Sequence, residues 1–252
     1  MYKRQSQDVG YLFDKECENL NYLREKSVDS IPEVLFRCDL DDLKLFCQSS
    51  VKDKSGQTID RMTEKHWLFL ANLYNKTRTV IKFEETDYYA LLKRVKKNAV
   101  VLKETDLEIV QRACELISKK YNNSTVEFGF YHGDFTPWNT VIENGKIKVF
   151  DFEYAKRTYP PYLDAVHYLL QKNFFVDGLN DANQIYSSLK ESSIWKKFDD
   201  RRSLEMVIMY LLEIINLYLS RTSEESLDEK SRQKIRIEIL EKAVTEYANL
   251  SR

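Results

Sequence analysis

Residues 132–155, HGDFTPWNTVIENGKIKVFDFEYA, constrain this chain more than any other part of it. Asp134 stands five positions before Asn139, and Asp151 follows twelve positions later. Between them, Asn144-Gly145 is the dipeptide that a tight type I′ hairpin turn requires. Lys146 to Phe150 should therefore fold back as a strand and deliver Asp151 beside Asn139. An amide oxygen and a carboxylate oxygen would then converge on one point, a ligand set that suits a hard cation such as magnesium. Phosphoryl transfer from ATP needs those parts: a carboxylate that orients or deprotonates the accepting hydroxyl, and oxygen ligands for the metal that neutralises charge on the phosphates. A loop of this length lets Asp134 face the acceptor while Asn139 reaches the metal.

The rest of the composition narrows the setting. With 252 residues, 43% of them hydrophobic, the chain can bury a sizeable core as one large domain or two small lobes. Its 39 lysines and arginines nearly balance 40 aspartates and glutamates, so no strong field favours nucleic acid or a membrane surface. The opening MYKRQSQD has no apolar core of a signal peptide. The apolar-rich stretch Leu204 to Leu219 is interrupted by Glu205, Glu213 and Asn216 and reads as a buried core helix rather than a membrane span. Cys17, Cys38, Cys47 and Cys114 are scattered, which fits free thiols in a reducing, cytoplasmic compartment.

Periodicity gives the organisation. Asp14 to Arg24 reads as a helix with Leu20 and Leu23 below Glu16, followed by strands Glu33 to Arg37 and Leu43 to Cys47 around an acidic turn, Asp39 to Asp42. From an N-cap at Asp60 the pattern becomes helical, with Met62, His66, Phe69, Leu70 and Leu73 on one face. Helices follow at Asp87 to Lys96 and Thr105 to Lys119, then strands at Val126 to Tyr131 and Lys146 to Phe150. Beyond Tyr162 the chain reads as helical to its end, the last helix running from Ser231 to Leu250. These readings predict an α+β chain, divided into a small mixed lobe (1–50) and a mostly helical lobe (51–252) with a hairpin at its heart.

Taken together, His132-Gly133-Asp134, Asn139 and Asp151-Phe152-Glu153 resemble the aminoglycoside phosphotransferase and choline/ethanolamine kinase superfamily. Its members carry an H-x-D-x-x-x-x-N loop followed by D-[FW]-E. The resemblance implies a two-lobed protein-kinase-like fold, ATP and Mg2+ as cosubstrate and cofactor, and a small-molecule hydroxyl as acceptor. It further implies Asp134 as catalytic base, Asn139 and Asp151 as magnesium ligands, and His132 as a structural tie to the Asp151 segment. Pro160-Pro161-Tyr162-Leu163-Asp164 is similar to a family stretch whose aspartate, here Asp164, caps the next helix and braces the catalytic loop. Nearer the start, Glu16 matches the glutamate that pairs with a strand lysine, and Lys3 stands where that lysine should be. Gln48 to Val51, including Ser50, would form the hinge that binds the adenine edge.

One departure stands out. The chain begins at the lysine strand, and its six glycines are isolated, so no glycine-rich phosphate loop is present in the sequence. The expectation is an incomplete small lobe that binds ATP weakly until extended upstream. A protein kinase is excluded because Asp164 follows Asp151 by only thirteen positions with no A-P-E anchor. A kinase-shaped binding module without turnover is the alternative. His66 and His167 read as core residues on apolar helix faces. Trp138, Tyr154, Tyr159, Tyr162 and Tyr168 cluster near the expected site and could box a quaternary ammonium, although aromatics at such spacing are more often core. Sugar, amino sugar and amino alcohol all remain open as acceptors.

Overall fold

The first strands of the chain pair through their middle member. In the computed structural model, which describes residues 2–5, 10–40, 43–50, 56–220 and 227–250, β1 (Tyr2–Gln5), β2 (Val34–Leu40) and β3 (Leu43–Gln48) form an antiparallel sheet in the order β1-β3-β2. Lys3 stands opposite Phe46 in that ladder. Helix α1 (Tyr11–Glu25) buries Phe13, Glu16, Leu20 and Leu23, spaced three or four apart as one helical face demands. Phe13 stacks on Phe46 at 6.0 Å and so fastens the helix to the sheet. Strand β2 continues to Leu40, so Asp39 is not a turn residue as expected. It lies opposite Lys44 in the ladder and accepts a 2.6 Å ion pair from Arg37.

Helix α2 (Glu64–Thr77) starts at Thr63, not at Asp60. The reason is the local hydrogen bonding: the Thr63 backbone N–H donates to His66 Nδ1 at 3.1 Å, reciprocal capping that Asp60 is too far away to supply. Two short strands escape the sequence patterns. β4 (Thr79–Lys82) pairs with β5 (Thr125–Tyr131), and the hairpin strands β6 (Thr140–Glu143) and β7 (Lys146–Val149) precede β8 (Lys156–Tyr159), which takes the other edge of β5. The hairpin turn has φ 48° at Asn144 and 76° at Gly145, both positive as the I′ geometry requires.

The remaining elements are helical: α3 (Asp87–Asn98), α4 (Glu104–Tyr121), α5 (Leu163–Phe175), α6 (Ala182–Lys190), α7 (Ser193–Lys197), α8 (Asp200–Leu219) and α9 (Leu227–Asn249). Helix α8 is buried nearly all round, and its polar exceptions have partners. Lys120 Nζ meets Glu205 at 2.6 Å, Asn98 donates to Asn216 at 3.0 Å, and the Tyr159 hydroxyl donates to Glu213 at 2.7 Å. No described helix is long and apolar enough to cross a membrane, and all four cysteines are free.

Candidate active site

Strand β5 runs through the core and ends at a tightly held loop. Its last residue, Tyr131, stacks face to face on Tyr159 at 4.9 Å. The next two backbone N–H groups, of His132 and Gly133, donate to the two carboxylate oxygens of Asp164 at 2.9 and 3.1 Å. Asp164 sits in the first turn of α5, so the helix grips the loop by its main chain. Burial pushes its carboxyl up to about 7, although both backbone N–H groups favour the charged form. Gly133 has φ 84°, and a side-chain carbon there would stand 2.6 Å from the Tyr154 carbonyl, so the turn demands glycine.

His132 is fully buried, and its tautomer follows from its neighbours. Nδ1 accepts the Asp134 backbone N–H at 3.1 Å, which leaves the proton on Nε2 to donate to the Phe150 carbonyl at 3.1 Å. The imidazole therefore ties the loop to the residue before Asp151. Burial holds both His132 and His66 down to about 4, against an ordinary 6.5. Because these folded-state values are depressed, their contribution is present above pH 6.5 and is lost as pH falls through about 4. Below 6.5 the unfolded chain takes up protons that the folded chain refuses. Between pH 7 and 5 each imidazole should cost about 2 kcal/mol of stability. The raised Asp164 carboxyl works in the opposite direction over the same range, so the check is urea unfolding of parent and His66→Asn at both pH values, where the variant should lose roughly half of the histidine part.

Asp134 is held from both sides. Asn139 Nδ2 donates to its Oδ2 at 2.7 Å and to its backbone carbonyl at 3.0 Å. His167 Nε2 lies 3.2 Å from Oδ1, and His167 Nδ1 lies 2.9 Å from the Tyr210 hydroxyl. Burial pushes the Tyr210 phenol well up, so it stays protonated, donates to Nδ1 and directs the Nε2 proton at Asp134. Burial also pushes Asp134 up, but His167, His132 and Asn139 outweigh it and leave its carboxyl below the usual range. It is thus a carboxylate at neutral pH, with lone pairs still open to a further donor. His167 is buried as the sequence led us to expect, yet it is no bland core residue: one ring nitrogen touches Asp134.

Asn139 spends both amide hydrogens on Asp134, which leaves its Oδ1 as an acceptor. Its backbone carbonyl accepts the Phe150 N–H at 3.2 Å, fixing the residue before Asp151 against it. Asp151 adopts φ 73°, a left-handed conformation that costs about 1–2 kcal/mol in a residue with a side chain. The Asp151, Glu16 and Glu153 carboxylates each offer an oxygen within 4.8 Å of the others. Asn19 of α1 donates to the Phe152 carbonyl at 2.9 Å and holds the helix, and with it Glu16, over this segment. Glu153 was not singled out from sequence as a group in its own right. Its place in the Asp-Phe-Glu triplet was the available signal.

The other expected residues belong to the first sheet and the stretch that leaves it. Only the backbone of Lys3 is described, in β1. Gln48 is buried at the end of β3, Ser50 is exposed, and Val51 lies outside the described residues. Beside Asp134 a cavity of about 330 Å³ opens, lined among others by Trp138, Tyr154, Lys156, His167 and Gln171. Of the five aromatics grouped from sequence, only Trp138 and Tyr154 face it. Tyr159 and Tyr168 are core residues, the latter donating to the Ile59 carbonyl, and Tyr162 packs on Trp67 and Phe198.

No family model and no curated protein matches the chain by sequence. Its structure does match solved ones. A thermostable mutant of aminoglycoside phosphotransferase APH(4)-Ia aligns with a TM-score of 0.60 at 14% identity, over 97% of this chain and 86% of that one. A choline/ethanolamine kinase family protein from Mesorhizobium loti aligns at 0.58 and 14% identity, over 92% and 82%. Choline kinase LicA from Streptococcus pneumoniae aligns at 0.56 and 14% identity, over 98% and 86%. The chain has the kinase-like phosphotransferase fold. The phosphotransferase is also known in a ternary complex with ADP and hygromycin B, and LicA in complex with AMP.

Proposed function

We propose that this chain transfers the γ-phosphate of ATP to a hydroxyl of a small molecule. The observation that carries the reading is Asp134, an ionised carboxylate clamped between Asn139 and His167 on the wall of a ligand-sized cavity. Nucleotides in two of the similar structures support it at the level of the fold.

In this reading the acceptor hydroxyl donates its proton to Asp134 as its oxygen attacks the γ-phosphorus. The bond to the β-phosphate oxygen breaks, and ADP leaves. Asn139 Oδ1 and the Asp151 carboxylate would hold magnesium; they are hard oxygen donors, and the adjacent Glu16 and Glu153 carboxylates add to a site that attracts a cation. When bound, the metal would neutralise charge on the phosphates. His132, through Phe150, and Asp164, through two N–H groups, are positioning residues that fix the loop. Lys3, with Gln48 and Ser50, would serve the nucleotide. Glu16 would either pair with that lysine or share the cation with Asp151.

We read residues 1–50 as the nucleotide lobe and 51–252 as the catalytic and substrate lobe, and place the reaction in the cytoplasm, where ATP is supplied. The thirteen positions from Asp151 to Asp164 are taken up by β8 and the turn before α5, which leaves no room for a peptide-docking loop. Magnesium-dependent ADP release, followed over a panel of sugars, amino sugars and amino alcohols, tests the proposal. A panel in which no acceptor raises ADP release above background would leave a nucleotide-binding module without turnover.

A further inference from the structure

The cavity at Asp134 does not end there. Lys156, the first residue of β8, and Glu213 of α8 also line a neighbouring cavity of about 500 Å³, so the two spaces meet at these side chains. The second space brings two more cations, Lys15 from α1 and Arg94 from α3. Its carboxylates are already engaged. Asp87 Oδ2 accepts from the Arg157 N–H, the Thr158 N–H and the Thr158 hydroxyl at 2.9, 3.0 and 3.0 Å. Glu213 accepts the Tyr159 hydroxyl, and burial pushes its carboxyl up, towards the neutral form.

Among the described residues, no carboxylate forms an ion pair with Lys156, Lys15 or Arg94. Lys156 is half-buried, and first burial, then the nearby Lys15 and Arg94 charges, push its ammonium down despite Glu213 and Asp87. A cation so placed gains most from a ligand that brings a negative charge. Two of the aromatic walls are already met by cations: Arg232 lies 5.0 Å from the Phe175 ring centre and Arg236 4.2 Å from that of Tyr218, which leaves these two rings with less attraction for a cationic ligand.

We propose that the acceptor is an anionic sugar-sized molecule whose carboxylate or phosphate docks on Lys156, flanked by Arg94 and Lys15, while a hydroxyl faces Asp134. The role of that hydroxyl rests on the phosphotransferase reading; the anion site does not. Calorimetry on the full chain without nucleotide, using glucose, glucosamine, glucuronate and glucose 6-phosphate, separates the two. At least one of the anionic pair should bind about 10-fold or more tightly than glucose, the factor that one hydrogen bond to a charged group supplies. Glucosamine should bind no better than glucose.

Lys156→Met should erase the preference, and Lys156→Arg should keep it, with a thermal melt confirming that both variants fold. Preference for glucuronate would assign a carboxylate, and preference for glucose 6-phosphate a phosphate. An anionic pair that binds no better than glucose overturns the proposal, as does tighter glucosamine binding or a preference that survives in Lys156→Met. Magnesium-dependent ADP release, measured separately, reports on the phosphotransferase reading alone.

Discussion

Replacing Asp134 by asparagine should lower phosphoryl transfer by roughly 10²–10⁴-fold, the usual contribution of general base assistance, with little change in melting temperature. The fold should survive because the amide fits the same clamp. Its oxygen can still accept from Asn139 Nδ2, and its NH2 can face His167, which then accepts on Nε2 and donates its Nδ1 proton to Tyr210. What is removed is the negative charge and, with it, the ability to take a proton. Steady-state rates under saturating ATP, beside a thermal melt, measure both quantities. Near-normal turnover in the variant would take Asp134 out of the chemistry.

Replacing Asp151 by asparagine should weaken magnesium-dependent ATP binding by roughly 10- to 100-fold, as a contact with a charged group is worth about 1.5–3 kcal/mol. Asparagine is the better test than alanine because it tolerates the left-handed φ of 73° at this position, so backbone strain does not cloud the result. Titration with ATP in magnesium and again in a chelator isolates the metal-dependent part. The nearby Glu16 and Glu153 carboxylates should rescue it only in part, since Asp151 directly follows Phe150, the residue pinned to the Asn139 carbonyl. Equal affinity of variant and parent in magnesium would defeat the assignment.

The local contacts of the candidate site were legible in the sequence. Asn139 meets Asp134 within one loop, and the Asn144-Gly145 hairpin returns Phe150 to the Asn139 carbonyl, so short spacing sets which residues meet. The long buried helix α8 was equally plain from its apolar run. What could not be read depends on distant pairing. His167 meets Asp134 across 33 positions and Tyr210 across 43, so its apolar helix face suggested only a core residue. Strands β4 and β8 have four residues each, and neither Thr-Val-Ile-Lys nor Lys-Arg-Thr-Tyr alternates cleanly; they become strands only because β5 offers both its edges. Lys156 was hidden for the same reason. The N-cap at Thr63 was missed because a histidine, rather than a glutamate or glutamine, completes the reciprocal cap.

Helix α5 touches the site at four levels. Its first turn holds the loop backbone through Asp164, its second presents His167 to Asp134, and Gln171 and Phe175 continue along the wall of the cavity. In the proposed reaction, catalytic alignment and acceptor choice would thus be carried by one stiff rod but at different heights on it. Substitutions near its C-terminal end would redraw the cavity wall while the first two turns keep Asp134 and its loop in place. A displacement of the rod as a whole has the opposite result, because it moves the loop, the base and the wall together. The division between what this scaffold can vary and what it must keep runs across a single helix, between His167 and Gln171.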